Sequence, residues 1–77
     1  MNINEEIGAE MRKQRTNKNL SLAQVADRMG VNSRNTISLM ELGRKNITVG
    51  DILSFCKAVG CEIDPFVEII ENARVQR

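Results

Sequence analysis

Two helix-start signals of the same design divide this chain and limit what it can fold into. In each, a hydroxyl residue that suits the N-cap position is followed three residues later by Gln or Asp, with apolar residues on either side. The signals are Leu20-Ser21 with Gln24-Val25, and Ile47-Thr48 with Asp51-Ile52. Each helical run then ends at a glycine, Gly30 or Gly60, which suits the left-handed residue after a helix. The chain is therefore expected to form short helices.

The remaining segments fit the same organisation, because apolar residues keep a helical spacing throughout and no segment alternates with period 2. Helices this short are not stable alone in water and must pack on one another. We therefore predict an all-α fold and a single domain over residues 1–77. The predicted helices run from about Glu5 to Asn17 with Asn4 as N-cap, from Leu22 to Met29, from the N-cap Ser33 to Glu41, from the N-cap Thr48 to about Val59, and from Asp64-Pro65 to about Ala73.

The predicted core contains aliphatic and sulfur-bearing side chains at the inward positions of these helices. They are Ile7, Met11, Leu20, Val25, Ala26, Met29, Val31, Ile37, Met40, Ile47, Ile52, Cys56, Val59 and Ile63.

Composition argues against several classes of function. The 77 residues include no His, Trp or Tyr and two Phe, so the commonest general base and an aromatic stacking platform are both missing. Two cysteines, Cys56 and Cys61, cannot supply the ligands of a typical structural zinc site. No nucleophile–base pair, phosphate-cradling glycine loop or membrane-length apolar run is present. We expect a cytoplasmic binding protein that is not an enzyme, with reduced thiols and with no cofactor, metal, small-molecule ligand or membrane partner.

The charges are sorted along the chain although the formal net charge is only +1. Residues 12–46 carry a net charge of +6, and the remaining residues carry −5. If the fold keeps residues 12–46 on one side, the molecule has a basic face that attracts and orients polyanions. A solvated surface with charges sorted by helix position is the alternative explanation.

Residues 20–41 hold the most informative pattern. Two predicted helices are joined by Gly30-Val31-Asn32, with Ala26 inside the first and Ile37 inside the second. The small Ala26 lets the two helices approach closely, Gly30 accepts the positive φ of the turn, and Val31 fills the angle between them. This is the design of a helix-turn-helix, whose second helix projects its N-terminal residues into the DNA major groove.

With these residues the chain resembles the lambda-repressor-like family of phage Cro and repressor proteins, also called the XRE family. The resemblance covers about residues 5–64 and implies a compact five-helix domain that binds double-stranded DNA. Two features depart from the family: Leu22 stands where a DNA-contacting glutamine is frequent, and the turn before Ser33 is one residue longer. The resemblance is carried by Leu20-Ser21, Val25-Ala26, Met29-Gly30-Val31, Ser33, Thr36-Ile37-Ser38, Glu41, Gly43, Ile52-Leu53 and Ala58-Val59-Gly60.

The resemblance also implies a structural ion pair between Arg15 and Glu41. The spacing agrees, because Arg15 continues the inward face of Ile7 and Met11, where an unpaired charge would be costly.

The DNA-contacting residues are expected at the start and outer face of the third helix and in the segment that follows it. Arg34 suits guanine and Asn35 suits adenine, while Thr36 and Leu39 offer methyl groups to thymine. The helix dipole disfavours an arginine at position 34, so an external anion explains it better than solvent does. The candidate phosphate contacts, which include the backbone amides of Gly43 and Asn46, are Ser33, Ser38, Gly43, Arg44, Lys45, Asn46 and Lys18.

Residues 64–75 are predicted to form a dimerisation helix. The apolar stripe of this helix is wider than packing on a small core requires, so one edge can meet a second copy. A helix buried on both edges is the alternative. A two-fold pair would place two recognition helices about 34 Å apart, which matches a palindromic operator. The predicted interface residues are Phe66, Val67, Ile69, Ile70 and Ala73, with Val75 beyond them.

The sequence thus predicts a sequence-specific transcriptional regulator that binds its operator as a homodimer. The sequence does not distinguish a repressor from an activator. It also fits a phage-type repressor, a restriction–modification controller and an antitoxin equally well. The alternative of a different class is a helical protein-interaction module that does not read DNA sequence.

Overall fold

The computed structural model describes the backbone of residues 2–75 and the side chains of residues 2–73. This part of the chain forms five α-helices and no strand, as predicted. α3 packs on both α1 and α2, α4 packs on α2, and α5 packs on α1. None of these helices is long and apolar enough to cross a membrane. The helices are α1 (Ile3–Asn17), α2 (Leu22–Met29), α3 (Arg34–Glu41), α4 (Val49–Val59) and α5 (Asp64–Val75).

Capping boxes begin α2 and α4, and both were predicted from the sequence. The Ser21 hydroxyl accepts from the Gln24 N–H at 3.0 Å, and the Gln24 side-chain oxygen accepts from the Ser21 N–H at 2.8 Å. Thr48 and Asp51 repeat the arrangement at 3.0 and 2.9 Å. These reciprocal bonds satisfy backbone donors that a helix start leaves without an intrahelical partner.

α1 begins two residues earlier than predicted, because the N-cap is Asn2 and not Asn4. The Asn2 Oδ1 accepts from the Glu5 N–H at 2.8 Å, and a Glu5 carboxylate oxygen accepts from the Asn2 N–H at 3.0 Å. Asn4 lies inside α1 and bonds to the segment after α3 instead. Its Nδ2 donates to the Asn46 Oδ1 at 3.2 Å, and its Oδ1 accepts from the Ile47 N–H at 3.3 Å.

The first four helices end in the same way, with a residue in the left-handed region. The N–H of the next residue bonds to a carbonyl five residues back, which closes each helix sharply. The left-handed residues are Asn19, Gly30, Gly43 and Gly60, with φ of 57°, 74°, 72° and 76°. The closing bonds run from Leu20 to Arg15 (3.1 Å), Val31 to Ala26 (3.0 Å), Arg44 to Leu39 (2.9 Å) and Cys61 to Cys56 (3.0 Å).

Two phenylalanines that the predicted core omitted are fully buried. The rings of Phe55 on α4 and Phe66 on α5 meet edge to face, with centroids 6.0 Å apart. Of the predicted core, nine residues are buried, namely Ile7, Met11, Val25, Ala26, Ile37, Met40, Ile52, Cys56 and Val59. The other five are partly buried and pack around them, namely Leu20, Met29, Val31, Ile47 and Ile63.

The burial of Phe66 corrects the predicted dimer interface, because a residue with no exposed surface cannot contact a second copy. Ile69 and Ile70 also pack on the core from partly buried positions, and Ala73 is partly buried. Val67 is 39% exposed. The apolar stripe on α5 is wide partly because it includes Phe66, which fills the core against Phe55. The side chain of Val75 lies outside the described residues.

Candidate nucleic-acid interface

α3 is held in one orientation by its inward face. Ile37 and Met40 are 0% and 2% exposed, so the opposite face of the helix is fixed outward. Asn35 lies fully on that opposite face, and Ser38 and Leu39 follow it at helical spacing with partly exposed side chains. The helix therefore presents a mixed polar and apolar surface on a rigid base.

The start of α3 is exposed and capped. The Ser33 hydroxyl accepts from the Asn35 N–H at 3.0 Å. Arg34 is exposed and forms no ion pair within the described residues, whereas Thr36 is partly buried. A solvent-facing guanidinium and amide at a helix start are accessible to base edges and carry the paired donors and acceptors that recognise purines.

α1 and α3 approach each other closely enough to exclude a side chain between them. A Cβ at Gly8 would overlap the Met40 carbonyl oxygen and lie 2.7 Å from the Glu41 carbonyl oxygen. The contact continues along α1 to the ion pair between Arg15 and Glu41. Arg15 Nε donates to Glu41 Oε2 at 2.6 Å, Nη2 donates to Oε1 at 3.1 Å, and Nη1 donates to the Leu20 carbonyl at 2.8 Å. The hydrogen bond to Glu41 raises the pKa of Arg15.

The segment after α3 carries exposed cations on a fixed backbone. Arg44, Lys45 and Asn46 are exposed, and the Asn46 side chain is held by Asn4 of α1. Lys18, at the end of α1, is also exposed. The expectation that the Gly43 amide binds phosphate is wrong, because its N–H donates to the Met40 carbonyl at 3.0 Å and closes α3.

Two leucines that were not among the predicted site residues lie beside the recognition surface, which is the outward face of α3 with Arg34 and Asn35 at its start. Leu22 is partly buried and packs against the core, so it serves packing where the family often has a polar DNA contact. Leu42, the C-cap of α3, is 53% exposed. It falls seven residues after Asn35 and three after Leu39, so helical periodicity alone could have placed it on the outward face.

These features define a helix-turn-helix DNA-binding domain: a closely packed α2–α3 pair, an outward face on α3, and cations beside it. A family model described as a helix-turn-helix domain matches residues 6–66. The chain belongs to this family.

Three solved structures that are similar to the chain are of proteins described as a regulator or a controller. The crystal structure of the clp gene regulator ClgR from Corynebacterium glutamicum is similar with a TM-score of 0.84 and 26% identity, over 95% of this chain and 94% of that one. A second ClgR structure has a TM-score of 0.81 and 28% identity, over 99% and 81%. The restriction-modification controller protein C.AhdI from Aeromonas hydrophila has a TM-score of 0.74 and 27% identity, over 82% and 94%. No curated protein matches the chain significantly in sequence.

The family and these neighbours identify the chain as a DNA-binding transcription regulator and not an enzyme. The resemblance seen in the sequence is thereby confirmed.

Proposed function

We propose that the protein binds a palindromic or nearly palindromic operator as a homodimer, with α3 of each copy in the major groove. The observation that carries this proposal is the fixed orientation of α3. Ile37 and Met40 anchor the helix in the core, while Arg34 and Asn35 face solvent at its start. Bidentate side chains on a rigidly mounted helix can discriminate between base pairs, which side chains on a mobile segment do poorly.

Contacts to bases and contacts to phosphates come from different parts of this surface. Arg34 and Asn35 contact purine edges, and Thr36 and Leu39 contact thymine methyl groups at the partly exposed side of α3. The phosphate contacts carry no sequence information but set the position of the protein on the duplex. They are made by Ser33, Ser38, Arg44, Lys45, Asn46 and Lys18.

Dimerisation uses the outer edge of α5. Val67 is 39% exposed there, and Ile69, Ile70 and Ala73 are partly exposed beside the core. A two-fold pair that binds successive major grooves must hold its two copies of α3 about 34 Å apart, one turn of B-DNA. Two symmetric contacts also multiply the specificity that an eight-residue helix provides alone.

The protein binds a site that overlaps a promoter and thereby excludes polymerase. It then acts as a repressor in the cytoplasm. The similar proteins are described as a clp gene regulator and a restriction-modification controller, and both descriptions fit control by operator binding.

Selection from a pool of random duplexes tests the proposal. We expect enrichment of an inverted repeat with half-sites about 10 bp apart, centre to centre. A matched variant with Arg34→Ala and Asn35→Ala should keep the fold, because both side chains are exposed, and should retain only weak, salt-sensitive binding without enrichment. Recovery of no preferred sequence by the wild-type protein would favour the protein-interaction module instead.

A further inference from the structure

A cleft of about 190 Å³ lies between α1 and the helix-turn-helix. Its volume is below the ~300–1,000 Å³ of typical small-molecule pockets, so it suits one chemical group better than a whole ligand. The cleft is lined by Arg12, Arg15, Leu22, Ser38, Glu41 and Leu42.

The cleft opens on the same side as the recognition surface, because two of its lining residues belong to the outward face of α3. Ser38 is partly exposed on that face and Leu42 is 53% exposed at its end. With α3 in the major groove as proposed, a DNA strand that borders the groove would pass this cleft.

The net charge of the lining is positive and belongs to Arg12. Arg15 and Glu41 neutralise each other across their ion pair. Arg12 is exposed and has no ion pair within the described residues. Leu22 and Leu42 supply the apolar walls of the cleft.

We propose that Arg12 binds a backbone phosphate of DNA in this cleft, with the Ser38 hydroxyl as a second donor. α1 then forms a third part of the DNA interface, beside α3 and the segment 44–46. The inference rests on the proposed placement of α3 in the major groove. A guanidinium offers two parallel N–H donors that match two phosphate oxygens. The contact is therefore directional as well as electrostatic.

The test compares Arg12→Ala with Lys13→Ala on a 20-bp duplex of random sequence, because a phosphate contact does not need the operator. Both variants remove one exposed cation from α1, but Lys13 does not line the cleft and lies about 100° further around the helix. Affinities are measured by fluorescence anisotropy from about 50 to 200 mM salt. Arg12→Lys is the third variant, and thermal unfolding checks that all of them fold.

We expect Arg12→Ala to bind about tenfold more weakly and to reduce the salt slope by about 0.9, the value for one phosphate contact. Lys13→Ala should lose less than about threefold, and Arg12→Lys should keep the slope. Equal losses of affinity for Arg12→Ala and Lys13→Ala would show that only the net charge of α1 matters, and this would overturn the inference. A wild-type protein that shows no salt-dependent binding to any duplex would overturn the proposed function instead.

Discussion

Arg15 and Glu41 form a two-point ion pair that joins α1 to the end of the recognition helix. The two contacts are 2.6 and 3.1 Å long, and the side chains are only 14% and 6% exposed. The third contact of Arg15, to the Leu20 carbonyl, adds the segment that leads into α2. One guanidinium therefore connects the elements that set the orientation of α3.

Glu41→Ala should destabilise the protein because it leaves the largely buried Arg15 guanidinium without its carboxylate. We expect a loss of about 2–3 kcal/mol in the free energy of unfolding, less than the ~3–5 kcal/mol of a fully buried pair. Urea denaturation measures this loss of stability. Arg15→Met combined with Glu41→Leu should recover most of the loss, because neither charge is then left alone. A single variant as stable as the wild type would show that the pair does not hold α3.

Gly8→Ala should be strongly destabilising although alanine favours helices. The added methyl group would overlap the Met40 carbonyl oxygen and force α1 away from α3, which we expect to cost about 2 kcal/mol or more. Gly50→Ala is the matched control, since its Cβ would meet only the Thr48 hydroxyl at 3.6 Å. That change should stabilise α4 by up to ~1 kcal/mol. Equal melting temperatures for the two variants would contradict the close α1–α3 contact.

Helix starts and stops could be predicted from the sequence because the responsible bonds join residues a few positions apart. Ser21 with Gln24, and Thr48 with Asp51, are examples. The start of α1 was mispredicted because two asparagines compete there. Glu5 stands three residues after Asn2 and completes a capping box only with that residue.

The burial of α5 could not be predicted in the same way, because periodicity shows that a face is apolar and not what covers it. Phe66 meets Phe55 of another helix, a contact between residues distant in sequence. The recognition surface contains one feature that local spacing could predict and one that it could not. Asn35 was placed correctly as exposed from its spacing to Ile37 and Met40. The cleft at Arg12 depends on how three helices meet, which no local pattern specifies.

Asn35→Ala and Arg44→Ala should weaken DNA binding in different ways. Loss of a bidentate base contact by Asn35→Ala should cost ~1–3 kcal/mol on the selected operator and relax one base preference, with little effect on random DNA. Arg44→Ala should weaken binding to both duplexes alike and reduce the salt slope by about 1. Titration of each variant against the operator and a scrambled duplex separates the roles. If the two variants gave the same ratio of affinities, the division into base and phosphate contacts would be wrong.

Cys56 and Cys61 should differ in reactivity. Burial first, and then the neighbouring Cys61 thiol, raise the pKa of the Cys56 thiol to about 12. Because the thiolate is the nucleophile, iodoacetamide at pH 8 should label Cys61 much faster than Cys56, as measured by peptide mass spectrometry. The Cys56 rate should still rise with pH at pH 10, since its thiolate is then scarce. In urea both thiols should react alike, and rapid labelling of native Cys56 would show that it is not protected.

Val67→Glu should dissociate the dimer if α5 forms the interface. A carboxylate at this position, 39% exposed in one copy, would face its two-fold partner across a desolvated contact, where like charges repel. Sedimentation at micromolar concentration should then show an 8.7 kDa species instead of twice that mass.

Leu53→Glu on α4 is the matched variant, because Leu53 is 52% exposed and lies one turn after Val49, which is 64% exposed. We expect Leu53→Glu to remain dimeric. Dissociation by Leu53→Glu alone would move the interface to the α4 surface, and monomeric wild-type protein would contradict two-fold operator binding altogether.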